Sequence, residues 1–74
     1  MAISTSQYEF SHGRKPRGHG SWWFRVTASN GDGSYTTDER SASGLLSEAR
    51  RLVCRQMLAE VGGARKIVEV EVMP

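Results

Sequence analysis

The 74 residues contain a single cysteine, Cys54, so no disulfide can form within the chain. Such scarcity is typical of a reducing compartment, and we expect a cytoplasmic location. His12 and His19 are the only histidines, too few to complete a Cys- and His-based zinc site, so no metal or cofactor is expected. A chain this short buries only about 60% of its unfolded surface, and homodimerisation remains open as a source of stability.

Long apolar runs are also missing. Residues 1–8 contain neither a basic nor an apolar segment, so we expect no secretory signal. The apolar-rich stretch near the C-terminus is far too short to span a bilayer. The sequence therefore predicts one domain, residues 1–74, without a membrane partner.

A strong charge of either sign is absent as well, since the formal net charge is only +2. The charges are unevenly placed, however. Residues 1–30 hold four basic residues and one acidic residue, whereas residues 31–74 hold six basic and seven acidic residues. The positive charge is therefore concentrated in one early segment.

Hydrophobic periodicity predicts five elements. Alternation indicates strands at 4–11, 21–28, 34–40 and 66–73, and a 3.6-residue period indicates a helix over 45–61. Asn30-Gly31-Asp32-Gly33 is a hairpin signal, and Gly62-Gly63 ends the helix. The order β-β-β-α-β predicts an α+β fold, a two-layer sandwich with an antiparallel sheet of about four strands covered on one face by a single helix. The direction of the last strand cannot be read from the pattern.

The strand over 21–28 has the clearest pattern. Trp22 shares one face with Phe24 and Val26, which we expect to be buried under the helix, so Trp23 and Arg25 point away from it. Ser43 and Ser47 are candidate caps for the start of the helix. The other expected core residues lie on the apolar face of the predicted helix or on one face of the last predicted strand: Leu46, Ala49, Val53, Met57, Val61, Val68, Val70 and Val72.

Between the first two predicted strands lies a segment that we call the basic loop, residues 12–20, which reads HGRKPRGHG. Its three glycines let the backbone approach a ligand closely, and its cations supply charged donors, a combination that suits phosphates. An exposed Trp23 beside Arg25 would offer a stacking platform for a base or an anchor for a protein partner. The candidate ligand-binding residues are Arg14, Lys15, Arg17, Gly18, His19, Gly20, Trp23 and Arg25.

Simpler interpretations stand beside this one. The basic loop is also consistent with a solvated turn, Trp23 with a dimer contact, and His12 and His19 with exposed bystanders. A second basic group on the predicted helix is typical of a charged outer face: Arg50, Arg51 and Arg55. No nucleophile or carboxylate pair has a recognisable base or metal set, so we do not expect an enzyme.

Residues 16–24 carry the pattern P-R-G-x-G-x-W-x-F, followed by Ser43-Gly44, Ser47-Glu48-Ala49 and an apolar ending over 67–74. Together these features resemble short bacterial and phage proteins that have no assigned activity, and the resemblance covers most of the chain. Size and strand-helix order are also similar to those of small phage anti-CRISPR inhibitors. That second likeness rests on architecture alone.

Two functions follow as expectations. The first is a non-catalytic module that contacts nucleic acid or a ribonucleoprotein through the basic loop, Trp23 and Arg25. The second is a phage-type protein inhibitor that binds a host protein complex, which a small size and an exposed sheet face would suit. We rank nucleic acid first, although +2 is a low charge for such a protein.

Overall fold

One mixed four-stranded sheet and two helices make up the fold, which a computed structural model describes over residues 2–74. The strands lie in the order β1-β4-β2-β3, with β1 parallel to β4 and β2 antiparallel to both of its neighbours. In chain order the elements are β1 (Ala2–Ser4), α1 (Ser6–His12), β2 (His19–Asn30), β3 (Tyr35–Leu45), α2 (Leu46–Glu60) and β4 (Ala64–Val72).

The α+β class, the four-stranded sheet and the helix packed on one sheet face are confirmed. The sheet is mixed instead of wholly antiparallel, because β1 joins the outer edge of β4 in the same direction. Strand β4 itself runs antiparallel to β2, which settles the direction that the sequence pattern left open. The hairpin is also confirmed: the Asn30 amide donates to the Ser34 carbonyl at 2.8 Å across the turn.

The core lies between α2 and the sheet face that carries the even-numbered residues of β2. Phe24, Val26 and Ala28 are fully buried there, as the alternation predicted. They pack in one cluster with side chains from α2 and β4. The cluster is completed by Trp22, Ala49, Val53, Met57, Ile67, Val70 and Val72.

The prediction for β4 was wrong at one position. Val68 was expected in the core, but Ile67 is buried and Val68 is only half-buried. Thr27 pairs with Glu69 and Ala28 pairs with Ile67, so Val68 is an extra residue opposite β2. Such a β-bulge shifts the alternation by one residue, which strict periodicity cannot show.

The predicted strand over 4–11 was also wrong, since Ser6–His12 is helical. The helical state brings Tyr8 and His12 together at the i, i+4 spacing, with rings stacked 4.0 Å apart. Gly13 then adopts a left-handed conformation, and its amide donates to the Glu9 carbonyl at 2.8 Å, which ends the helix. Phe10, which in a strand would share a face with Tyr8, is instead 92% exposed.

Helix α2 begins without the serine cap that we expected, since no side chain caps its first turn. The amide of Leu46 donates instead to the Gly18 carbonyl at 3.1 Å, so the start of α2 is tied to the basic loop. Its end at Glu60, before Gly62-Gly63, agrees with the predicted stop. Over residues 2–74, neither helix has the length and apolarity that crossing a bilayer requires.

Candidate functional site

The basic loop links the end of α1 to the start of β2. Pro16 is buried at its centre, whereas the neighbouring Arg14, Lys15 and Arg17 are exposed. Gly18 has a φ of 78°, which a residue with a side chain adopts only at a cost, and its carbonyl accepts the Leu46 amide. The loop is thus held at both ends and in the middle, with its cations outside.

A pocket of about 280 Å³ opens between this loop, α1 and the beginning of β2, and we call it the loop pocket. Three of its lining side chains are cationic, and two are aromatic. No acidic residue lines it. The lining residues are Tyr8, Arg14, Lys15, Arg17, His19, Gly20, Ser21 and Trp22.

The cations of the loop pocket have no partner among the described residues. Within residues 2–74, the structure records no ion pair and no side-chain hydrogen bond for Arg14, Lys15 or Arg17. By contrast, Arg40 donates to both Asp38 and Glu60 at 3.0 Å, and these two carboxylates raise its pKa, Glu60 the more strongly. The three loop cations are therefore available to an external anion, whereas Arg40 clamps β3 to the end of α2.

The aromatic side of the loop pocket is fixed by its own contacts. Trp22 is only 6% exposed, and its indole Nε1 donates to the Gly44 carbonyl at 3.0 Å. Tyr8 lies 5.8 Å from the Trp22 ring, centroid to centroid, and stacks on His12 on its other side. Tyr8 and Trp22 thus give the pocket an aromatic wall whose rings are held by contacts with Gly44, His12 and each other.

Gly20 keeps part of that wall uncovered. A Cβ built on Gly20 would lie 3.6 Å from two carbons of the Trp22 ring, in ordinary van der Waals contact. A larger side chain at this position would cover the ring edge that now borders the loop pocket. The φ of Gly20 lies outside the left-handed region, so its backbone conformation does not require glycine. What the missing side chain does is leave the ring edge of Trp22 uncovered.

Trp23 lies outside the loop pocket, on the sheet face opposite α2, which we call the open face. Its side chain is 45% exposed. Ser41 is its direct partner on β3, and Ser21 precedes it on β2, paired with Ser43. All three serines are exposed and short, so the Trp23 ring stands above its neighbours on this side.

Arg25, the next open-face residue of β2, is already engaged. Its Nη1 lies 3.5 Å from Glu71 Oε1, and the same oxygen accepts from Gln7 Nε2 at 3.2 Å. Glu39 is its cross-strand partner on the other side. Arg25 is therefore flanked by two carboxylates, which leaves it less available to an external anion than the loop cations.

The structure thus brings five of the eight predicted site residues together in the loop pocket: Arg14, Lys15, Arg17, His19 and Gly20. Gly18 holds the loop to α2 without lining the pocket, and Trp23 and Arg25 lie beside it on the open face. The sequence interpretation missed Tyr8 and Ser21 and assigned Trp22 to the core alone. The i, i+4 spacing of Tyr8 and His12, followed by Gly13, was the signal for the missed helix.

Two further groups of side chains do not form sites. Among residues 2–74, no three His, Cys, Asp or Glu side chains lie close enough to hold a metal ion. Cys54 is half-buried on α2, and burial raises the pKa of its thiol, with the charge of Arg50 opposing this. A raised pKa disfavours the thiolate that a nucleophile needs.

Comparison with protein-family models, curated proteins and solved structures finds no match for this chain. The resemblance to short bacterial and phage proteins therefore stays a prediction.

Proposed function

We propose that this protein is a non-catalytic module that binds nucleic acid, free or within a ribonucleoprotein, by holding backbone phosphates in the loop pocket. The observation that carries the proposal is the convergence of three cations without internal partners on one pocket, Arg14, Lys15 and Arg17, with no acidic residue in its lining. Free cations in one place are what phosphate contacts require.

The charge distribution supports the same conclusion. A net charge of +2 is too small to attract a polyanion from every side, but residues 12–20, which form the basic loop, carry three positive charges and no negative one. Guanidinium groups offer planar donors to phosphate oxygens, and a glycine-rich loop lets a phosphate come close to the backbone. Binding would therefore be local and of modest affinity at physiological salt.

Salt dependence gives the expected signature. Three phosphate contacts predict a slope of log affinity against log salt of about −2 for a single strand and about −2.7 for a duplex. We would measure fluorescence anisotropy of labelled random single-stranded and duplex oligonucleotides across about 50–300 mM salt. Binding that weakens along such a slope supports the proposal, and the absence of binding at the lowest salt would overturn it.

A matched pair of variants assigns the binding to the pocket. Replacing Arg14, Lys15 and Arg17 together by Gln removes three charges from the loop pocket, and affinity should fall towards the limit of detection. The control replaces three exposed cations elsewhere by Gln: Arg51, Arg55 and Lys66. Equal losses in both variants would show that only net charge matters and would contradict a pocket-based function.

A protein target is the second candidate, and Phe10 is the observation that favours it. Phe10 is 92% exposed on α1 and borders a shallow, mostly apolar groove with Ser6, Gln7, Ser11 and Pro74. Exposed aromatics of this kind anchor protein interfaces. An inhibitor of a host protein complex would bind with little salt dependence, and Phe10→Ala would weaken it while the Gln variant of the loop would not.

A further inference from the structure

We propose that the bound nucleic acid is single-stranded and that one of its bases stacks on Trp23. This inference rests on the proposed function, because it extends the same strand from the loop pocket onto the open face. Trp23 is the large aromatic of that face next to the pocket, and it is 45% exposed in the described structure. Stacking on exposed aromatics is how proteins hold single strands without reading sequence.

Alternate residues of β2 form a row from the loop pocket to Trp23. His19 and Ser21 line the loop pocket, and alternation along β2 puts both on the same face as Trp23. Two residues of a strand span about 7 Å, so Trp23 lies about that distance along β2 from Ser21 in the pocket wall. The β2–β3 register is unbroken over this stretch, which keeps the row straight. A phosphate in the pocket thus leaves a neighbouring base over the serines and Trp23.

Trp23 is uncovered on the sides of the pocket and of β3, whereas on its β4 side it adjoins the buried Met73, whose amide donates to the Trp23 carbonyl at 2.7 Å. The neighbours towards the pocket and across to β3 are exposed serines: Ser21, Ser41 and Ser43. Short hydroxyl side chains cannot cover an indole ring, and they can donate to base edges or sugar oxygens. In a duplex, both faces of an internal base are stacked on other bases, so Trp23 can reach a base face only on an unpaired strand.

The open face also limits how far the strand extends. Beyond Trp23 its charged residues are Arg25, Glu39, Glu69, Glu71 and, opposite Ser29 at the far end, Lys66. Arg25 is engaged by Glu71, so the carboxylates dominate this half of the face. A phosphate backbone is repelled there. The footprint therefore runs from the loop pocket to Trp23 and stops, which predicts a short binding site.

An oligonucleotide without bases separates the two parts of the site. Oligo(dT) and an abasic oligomer of the same length and charge would be titrated against the wild-type chain at low salt. Phosphate contacts alone bind both equally, whereas one stacked base makes oligo(dT) about 5- to 150-fold tighter. A duplex of matched length should bind no more tightly than the abasic oligomer, apart from its higher charge density.

Trp23→Ala should remove the preference for oligo(dT) and leave affinity for the abasic oligomer unchanged, which also shows that the variant is folded. Tyr35→Ala is the matched control, because Tyr35 is also an exposed aromatic but lies on β3, where it pairs with Ser29 at the far end of β2. Equal binding of both oligomers to the wild type overturns this inference while the proposed function stands. Failure of both oligomers to bind overturns the proposed function as well.

Discussion

Trp22 and Trp23 are neighbours in sequence but lie on opposite faces of the sheet. Trp22 is 6% exposed and donates its indole N–H to the Gly44 carbonyl, whereas Trp23 is 45% exposed on the open face. The Trp22 indole packs in the core beside the loop pocket, whereas the Trp23 indole faces solvent. A register shift of one residue would exchange them, so the β2–β3 pairing also sets the candidate site.

This relationship predicts opposite effects of the same substitution at adjacent positions. Trp22→Phe removes the indole donor and leaves the Gly44 carbonyl without it, so the free energy of unfolding should fall by about 1–3 kcal/mol. Trp23→Phe keeps an aromatic ring on an exposed surface and should change that free energy by less than about 0.5 kcal/mol. Urea unfolding followed by circular dichroism measures both. Comparable losses would contradict the division of roles.

Gly18 gives a second prediction. A Cβ built on Gly18 has nothing within 4 Å, so a methyl group would fit. The φ of 78°, however, is a backbone conformation that alanine adopts only at a cost. Gly18→Ala should cost about 1–2 kcal/mol of stability and should weaken oligonucleotide binding, because the loop loses its preferred path. Its effect is read from urea unfolding and from anisotropy.

Gly62→Ala is the control for Gly18. Gly62 also has open space around a built Cβ, but its φ lies outside the left-handed region. Adding a methyl group there should leave stability within about 1 kcal/mol and binding unchanged. If Gly62→Ala were as costly as Gly18→Ala, the backbone of the basic loop would not be the cause.

The parts of the fold that strict periodicity describes were predictable. Strand β2, its hairpin turn and helix α2 were placed within a few residues, because a long apolar alternation and a long helical repeat leave little ambiguity. The basic loop was found from its composition, and five of its predicted ligands do line one pocket. Composition therefore marked the basic loop, whereas the pocket that the loop forms with α1 was not predicted.

The errors occurred where short segments or tertiary pairing decide the structure. Residues 6–12 alternate over too few positions to separate a strand from about two turns of helix, and the Tyr8–His12 stack is a contact that only the helix allows. The bulge at Val68 depends on how β4 pairs with β2, which no local pattern contains. The engagement of Arg25 by Glu71 likewise joins residues 46 positions apart.

The acidic half of the open face predicts a gain of binding. Glu39→Gln removes a carboxylate opposite Arg25 and lowers the repulsion of a strand that ends at Trp23. We expect single-strand affinity to rise by about 1.5- to 5-fold at low salt, in line with exposed charge interactions of 0.2–1 kcal/mol, and the gain to vanish at high salt. Asp32→Asn, an exposed carboxylate in the hairpin at the opposite end of β2 from the loop pocket, is the control and should change nothing. A gain from Asp32→Asn of the same size would refute the footprint.

Cys54 predicts a pH dependence of stability. Burial raises the pKa of its thiol, and the nearby Arg50 charge only partly opposes this. The folded chain therefore keeps the Cys54 proton at a pH where the unfolded chain, with a thiol pKa of about 8.5, has lost it. The contribution of Cys54 to stability is complete below that pH and is lost as pH rises through the folded pKa, because the unfolded state then binds fewer protons.

Comparing wild type with Cys54→Ala by urea unfolding from pH 7 to 10 isolates this difference from tyrosine and lysine titration. Wild type should lose stability relative to the variant above about pH 8.5, and iodoacetamide should alkylate the folded thiol more slowly than the unfolded one. Equal alkylation rates in the folded and urea-unfolded chains would show that the thiol is not protected, and the expected pH dependence would then be absent.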